Sequence, residues 1–402
     1  MSVIYIFRRD FRLRDNLAIY KLSEFISENK DINKIYFTFI FTPEQTDPSK
    51  NKYFTQSGFN FMMSALRELS NQLTLNFLYG DYIEQLTKIL DHDTHIKAIF
   101  FNHDYSAYAR KRDIKIFKLG ASRKIPIYAY HDLMLKGKLL EKGYKVMNAY
   151  VKRIRNIKLL PKPKLNIYKL TNTHKLGKQL PFSMSLNKVI KKHIEADVEF
   201  HSLSKNPSKL VLDSIHSGSY KKHGSRVGPY VKFGLISCRE LYLLRTNSAY
   251  KREVIIREFF YQCQAFYREE IEAIPHNWKS PYTKLEYKLL DSDLRNSLQG
   301  KTDKQIINSF YHKNGPYLKL PTLIQDFITR LIDNNYLHNR ERMMLATFLL
   351  HNMGINWKLC EKFYAQNLQD YDPVINGLNW MWVLKVFFHT RPQIMKLKNF
   401  HY

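Results

Sequence analysis

Lys34-Ile35-Tyr36-Phe37-Thr38-Phe39-Ile40-Phe41 is the stretch on which the fold of this chain turns. After its lysine the run is apolar or β-branched throughout, with no alternation of polar and apolar positions. Such a run reads as a strand covered on both faces. Four others resemble it: Val3-Ile4-Tyr5-Ile6-Phe7, Leu75-Asn76-Phe77-Leu78, Ala98-Ile99-Phe100-Phe101 and Pro126-Ile127-Tyr128-Ala129. Between them, residues 17–27, 58–73, 82–90 and 107–119 carry helical spacing of apolar side chains. Strand–helix alternation implies a parallel sheet with helices on its faces, so residues 1–130 are predicted to form a Rossmann-like α/β domain. No G-x-G-x-x-G follows the first strand, which gives no support to a dinucleotide site of the Rossmann type.

Further along, residues 131–210 are basic and punctuated by Lys and Pro, as in Leu160-Pro161-Lys162-Pro163-Lys164, and read as a connector running over the surface. Strand signals then fade. Residues 251–271, 320–333, 338–353 and 357–367 look helical, so 211–402 is predicted to be an all-α domain. The length of 402 residues fits two domains better than one core.

Composition narrows the function classes. Lys and Arg number 64 against 36 Asp and Glu, a net charge of +28. Charge alone leaves two readings, a nucleic-acid partner or a Lys-rich codon bias. Three scattered cysteines, Cys238, Cys263 and Cys360, exclude a disulfide framework and a four-Cys metal site. They fit a reducing compartment. No apolar run reaches the ~18 residues of a membrane span, and Arg8, Arg9, Asp10 and Arg12 interrupt the N-terminus too early for a signal peptide. The expectation is a soluble, intracellular, monomeric protein of the cytoplasm or nucleus.

Short motifs carry the chemistry. Phe7-Arg8-Arg9-Asp10-Phe11-Arg12-Leu13-Arg14-Asp15-Asn16 resembles the W-F-R-x-D-L-R-x-x-D-N opening of photolyases and cryptochromes. Gly224-Ser225-Arg226-Val227-Gly228-Pro229-Tyr230 resembles that family's T-S-R-L-S-P-[HY] turn, and Arg257-Glu258-Phe259-Phe260 its W-R-E-F-[YF] helix. His338-Asn339-Arg340-Glu341-Arg342-Met343 is similar to H-N-R-x-R-M. Asp370, Asp372, Asn376, Trp380 and Trp382 fall on D-x-D-x-x-x-N-x-x-x-W-x-W, with Trp357 at 23 residues before Trp380. Motifs in the family's order along the chain identify it as resembling the photolyase/cryptochrome family, and most closely its cyclobutane-dimer photolyases.

The resemblance implies FAD as cofactor and DNA containing pyrimidine dimers as partner. It gives Ser225, Arg226, Val227 and Gly228 to the FAD phosphates, where a hydroxyl and turn amides can donate. Arg257 and Asn339 also fall on cofactor positions. Arg342 and Asp370 are implied to pair beside the flavin, and Asp372 to accept from the isoalloxazine edge. Asn376 is implied to face flavin N5, where a carboxamide can donate or accept; taken alone it would read as a turn former. Trp380 and Trp357 are implied to begin the electron chain that photoreduces the flavin, although two lone tryptophans are usually core residues. Tyr287 falls near the place of the third member, but a stretch longer than the family's separates Gly300 from Asp326. Glu253, Arg257, Asn339, Arg340, Met343 and Trp382 match lesion-contacting positions. Enzymes that repair (6-4) photoproducts carry His where Asn339 and Met343 stand, to do acid–base work; its absence favours cyclobutane dimers.

Two departures from the family pattern stand out. Ile256 replaces the Trp that stacks on the flipped dimer, leaving Trp278 or another aromatic to substitute. Arg391-Pro392-Gln393 then leads only to Phe400-His401-Tyr402, where the family continues into further helices. These departures keep a second reading open, a cryptochrome-type photosensor without repair activity. Asn102-His103-Asp104-Tyr105 and Ala109-Arg110-Lys111-Arg112-Asp113 resemble the antenna region, which serves several chromophores or none, so the identity of a second chromophore is left open.

Overall fold

Five strands form from the apolar runs: β1 (Ser2–Ile6), β2 (Lys34–Phe41), β3 (Leu75–Tyr79), β4 (Ile96–Asn102) and β5 (Ile127–Tyr130). The computed structural model describes residues 1–155, 177–220, 224–244, 246–276 and 291–388. All five strands pair in parallel, in the order β3-β2-β1-β4-β5. In register, Tyr5 lies between Phe37 of β2 and Phe100 of β4.

Alternate residues of β1 enter different cores, as a pleated strand requires. Val3, Tyr5 and Phe7 pack with α1 (Leu17–Glu28) and α2 (Gln56–Ser70). Ile4 and Ile6 pack with α3 (Tyr82–His92) and α4 (Ala107–Ser122). Each helix begins on a side-chain cap, from Asn16, Thr55, Asp81 and Ser106 respectively. The strand order reverses between β1 and β4. In open α/β sheets the crevice beyond the strand ends at such a point is where ligands bind. Here the Arg8–Asp10 segment and Asn102–Asp104 meet there.

Residues 131–155 correct the expectation of a surface connector. Met134, Leu135 and Leu140 are buried in the helical core, followed by α5 (Met147–Arg155), whose Met147, Tyr150, Val151 and Ile154 face inward. The chain then returns to the sheet, where α6 (Leu186–His193) packs beside β3. Residues 160–164 lie outside the described residues. The apolar residues of this stretch are too many to leave on a surface, and each half of it joins the nearer core.

The main helices of the second half are α7 (Ser248–Phe266), α8 (Asp303–His312), α9 (Thr322–Asn334), α10 (Asn339–Thr347), α11 (Trp357–Asn367) and α12 (Pro373–Leu384), with shorter ones between them. Together with α5 they enclose one core around Phe259, Leu331, Leu345, Trp357 and Leu378. A π-helical turn, Phe348–Asn352, follows α10.

The N-terminal motif joins the two halves. Arg12 Nη2 and Arg239 Nη2 grip the Asp132 carboxylate at 2.5 and 2.6 Å, and Arg239 Nε donates to Asp15 at 3.1 Å. Arg12 Nη1 donates to the carbonyl of Gly234 at 3.0 Å. Gly234 has φ +68°, and a Cβ there would meet the Arg9 carbonyl at 2.2 Å, so only glycine permits this close docking.

Candidate functional site

Five segments converge on one pocket: the turn at Gly228, α7 through Arg257, α10, α11 through Tyr364, and the Asp370–Val383 stretch that includes most of α12. Its walls include Arg257, Asn339, Arg342, Met343, Asp370, Asp372, Asn376 and Trp380, all singled out from the sequence. Sequence reading missed Ala346, Tyr364, Ile375, Asn379 and Val383. Helical spacing could have found several of them. Ile375, Asn379 and Val383 are four apart on α12, and Ala346 lies one turn beyond Met343 on α10.

Local sequence sets this geometry. Asp372 caps α12, its Oδ1 accepting from the amides of Val374 and Ile375 at 2.9 and 3.0 Å, with Pro373 at the first helical position. One turn on, Asn376 donates its carboxamide N–H to the Asp372 carbonyl at 3.1 Å. The Asn376 carboxamide oxygen has no partner among the described residues. His338 and Glu341 form a capping box at the start of α10.

Arg342 and Asp370 meet as expected, with Nη2–Oδ2 at 3.1 Å and Nη1–Oδ1 at 3.0 Å. Arg342 Nε is fixed on the Leu337 carbonyl at 2.8 Å. Asp370 Oδ1 is buried, and its contact with Arg342 lacks hydrogen-bond alignment, so it still lacks a donor. A Cβ at Gly228 would come within 2.2 Å of Asp370 Oδ2, so the turn runs hard against this carboxylate.

Asp372 departs from the implied role. Its Oδ2 accepts from Tyr261 at 2.6 Å and from Arg9 of the sheet half, with Arg257 at 3.8 Å. Burial works to raise this carboxyl, but Arg9, Arg257 and the hydrogen bonds outweigh it and hold it well below the usual carboxylate range. Both oxygens are thus engaged by the protein, where the resemblance gave one to a flavin edge. Arg257 also donates to Tyr261 at 2.9 Å.

Other expected site residues lie elsewhere. Ser225 and Arg226 do not line the pocket; Arg226 sits over the Tyr336 ring at φ +52°, and Val227 is buried in the helical core. Glu253 is bound by the Tyr220 hydroxyl and is raised by burial. Arg340 is exposed at the start of α10. Trp382 packs on Phe388, with ring centroids 5.1 Å apart, rather than lining the pocket. Ile256 is partly buried against the helical core. Trp380 touches Tyr364, while Trp357 is buried with its indole N–H donated to the Pro275 carbonyl at 3.1 Å. Tyr287 and Trp278 lie outside the described residues.

The donor set suits a flat group with polar edges and apolar faces. Asp370 Oδ1 is buried without a donor, Arg342 and Arg257 supply positive charge, and Met343, Ile375, Trp380 and Val383 supply apolar walls. The pocket volume is about 110 Å³, below the ~300 Å³ of a typical ligand pocket. A separate cavity of about 440 Å³ lies between the halves, lined by Tyr53, Phe54, Gly58, Tyr108, Lys232 and Tyr371 among others. Burial, with Arg9 nearby, lowers the Lys232 ammonium to about 8. The antenna-like residues Asn102, His103 and Asp104 line a smaller crevice with Arg8, Arg9 and Asp10.

Comparison with known proteins agrees with this architecture. Residues 3–165 match the family described as DNA photolyase, and residues 323–399 the FAD binding domain of DNA photolyase. A deoxyribodipyrimidine photo-lyase of Alkalihalophilus pseudofirmus is 26% identical over 94% of this chain and 79% of its own length. An archaeal photolyase from Sulfolobus tokodaii, solved with two FAD molecules, shares the fold at TM-score 0.72 and 23% identity, covering 98% of this chain and 86% of that one. A Synechocystis cryptochrome shares it at TM-score 0.69 and 16% identity, covering 99% and 85%. With a parallel sheet of this order joined to a helical FAD-binding domain, the chain belongs to the photolyase/cryptochrome family.

Proposed function

We propose that this protein repairs cyclobutane pyrimidine dimers in DNA by light-driven electron transfer. The observation that carries the reading is the convergence of Arg257, Asn339, Arg342, Met343, Asp370, Asn376 and Trp380 on one pocket. Arg342, Asp370 and Asn376 would hold FAD there, and FAD in its reduced form would supply the light-driven one-electron chemistry that splits the dimer.

The chain's own residues bind and orient. Asp370, held by Arg342, would accept a hydrogen bond from the cofactor with its free oxygen, and the Asn376 carboxamide could donate to it or accept from it. Met343 and Trp380 exclude water from the ring faces. Asn339 and Met343 hold no titratable proton, in keeping with dimer splitting, which needs none. The net charge of +28 supplies the attraction for DNA phosphates, and the lesion enters the pocket as a flipped-out dinucleotide. The 440 Å³ cavity between the halves is the place we assign to a second chromophore.

The likeness to a cryptochrome structure and Ile256 at the stacking position favour the second reading, a photosensor. A single assay separates the two. Reduced, FAD-loaded protein is lit with blue light on oligonucleotides carrying either cyclobutane or (6-4) lesions. Restoration of the cyclobutane dimer alone is the expected result. Retained FAD with neither lesion restored would point to the photosensor.

A further inference from the structure

Arg9 reaches the edge of the pocket from the sheet half. It falls on a position that the opening motif leaves unspecified, just beyond the end of β1, yet each nitrogen of its guanidinium has an acceptor. Nε donates to the Lys232 carbonyl at 3.1 Å and Nη1 to Asp104 at 3.3 Å. Nη2 donates to the Asp372 carboxylate, and to the Tyr261 hydroxyl at 3.1 Å. The backbone is held as well, since Phe11 N donates to the Phe233 carbonyl at 3.0 Å and Gly234 packs on the Arg9 carbonyl. Asp372, the residue Arg9 grips, caps α12 and receives the Asn376 carboxamide on its own carbonyl.

Charge counting gives this contact a chemical meaning. On the pocket walls, Arg257 and Arg342 balance Asp370 and Asp372. Behind them stand two more cations, Arg9 and Lys232, and one more carboxylate, Asp104. Four cations against three carboxylates leave one positive charge at pH 7. The Lys232 ammonium, which burial and then Arg9 lower to about 8, is still mostly protonated there. Burial works against the charge of Arg9 too, but Asp372, Tyr261 and Asp104 outweigh it. A net charge in a partly buried site is felt over several ångströms.

We propose that Arg9 sets the charge of the cofactor site from the sheet half, so that the pocket favours a reduced flavin over an oxidised one. The inference rests on the reading that the pocket holds FAD. Reduced flavin is an anion at neutral pH and oxidised flavin is neutral, so a positive surplus binds the reduced form more tightly and raises the reduction potential. Arg9 acts through Asp372 and is a positioning residue. Asp372 spends both oxygens inside the protein because its task is to hold this cation in place. The form so favoured is the one that the proposed repair reaction uses.

The test is made in the dark at pH 7. FAD-loaded proteins are reduced stepwise against an indicator dye to give the midpoint potential, and binding of oxidised FAD is followed by its fluorescence. Arg9→Gln is expected to lower the ratio of reduced to oxidised FAD affinity about tenfold, or about 1.4 kcal/mol, seen as a lower potential. Arg9→Lys keeps the charge without the planar fork, and should stay near wild type. Arg9→Gln with Asp372→Asn removes one charge of each sign and should return the potential toward wild type. Asp104→Asn keeps the oxygen that accepts from the Ser106 amide at 3.1 Å, and by removing one negative charge should raise the potential. That variant decides the matter should Arg9→Gln not fold. If Arg9→Gln weakens both forms of FAD equally and leaves the potential unchanged, Arg9 is a strut and the inference is overturned. An unmoved potential in Asp104→Asn would overturn it likewise. Wild type that takes up no FAD would instead sink the pocket reading, and this inference with it.

Discussion

The junction between the halves and the pocket are built from the same residue types, arginines facing aspartates, yet they end in different states. At the junction, Asp132 accepts from Leu17 N, Arg239 and Arg12 with both oxygens, and Asp15 is held by Arg239 and Ser237. In the pocket, Asp370 Oδ1 is buried without an aligned donor. An unpaired buried polar atom carries a penalty of about 1–3 kcal/mol. A fold tolerates it where something else will complete it. At the joint both oxygens of Asp132 are filled, whereas in the pocket one carboxylate oxygen of Asp370 is not.

The largest expected effect lies at the joint. Asp132→Ala leaves Arg12 and Arg239 buried without their shared anion, and should lower stability by about 3–5 kcal/mol in urea unfolding. A loss no greater than that of a surface substitution would break the contrast. Acid should act on the same group next. Burial works to raise the Asp132 carboxyl, but Arg12 and Arg239 hold it down at about 2. A carboxyl depressed in the fold contributes stability above its ordinary value near 4, and loses it as pH falls toward 2. The contribution is on the order of 2 kcal/mol, and should disappear from the acid-unfolding profile of Asp132→Asn. An unchanged profile would mean that other carboxylates govern acid unfolding.

The same contrast explains what could be read in advance. The sheet was legible because β1, β2 and β4 are buried on both faces and so appear as continuous apolar runs. The pocket was legible where its residues cluster in short motifs, as in Asp370–Trp380. Contacts between distant segments were not. Arg9 meets Asp372 across 363 residues, and no local pattern reports it. The misread connector was recoverable in part, since Met147, Tyr150, Val151 and Ile154 follow the i, i+3, i+4, i+7 spacing of a buried helix face. Neighbouring Lys and Pro obscured it. Helix α8 was missed, although the Thr302–Gln305 capping box that opens it is a pattern the sequence carries.

A smaller effect sharpens the pocket side. Ile256 is only partly buried, so Ile256→Trp should keep the fold and add a stacking surface for a flipped base, tightening binding of dimer-containing DNA by about 1 kcal/mol. Titration against damaged and undamaged duplexes measures it. Weaker binding would show that the pocket is shaped around isoleucine.

The central claim is that the unfilled acceptor at Asp370 is filled by FAD. Thermal unfolding of wild type and Asp370→Asn, each with and without FAD, tests it most directly. At a cofactor concentration about 100 times Kd, wild type should gain about 2.7 kcal/mol, seen as a raised Tm. Asp370→Asn leaves Arg342 without its anion, so it should unfold below wild type without FAD, and it should also lose most of the further gain that FAD gives. An equal gain in both proteins would contradict the claim.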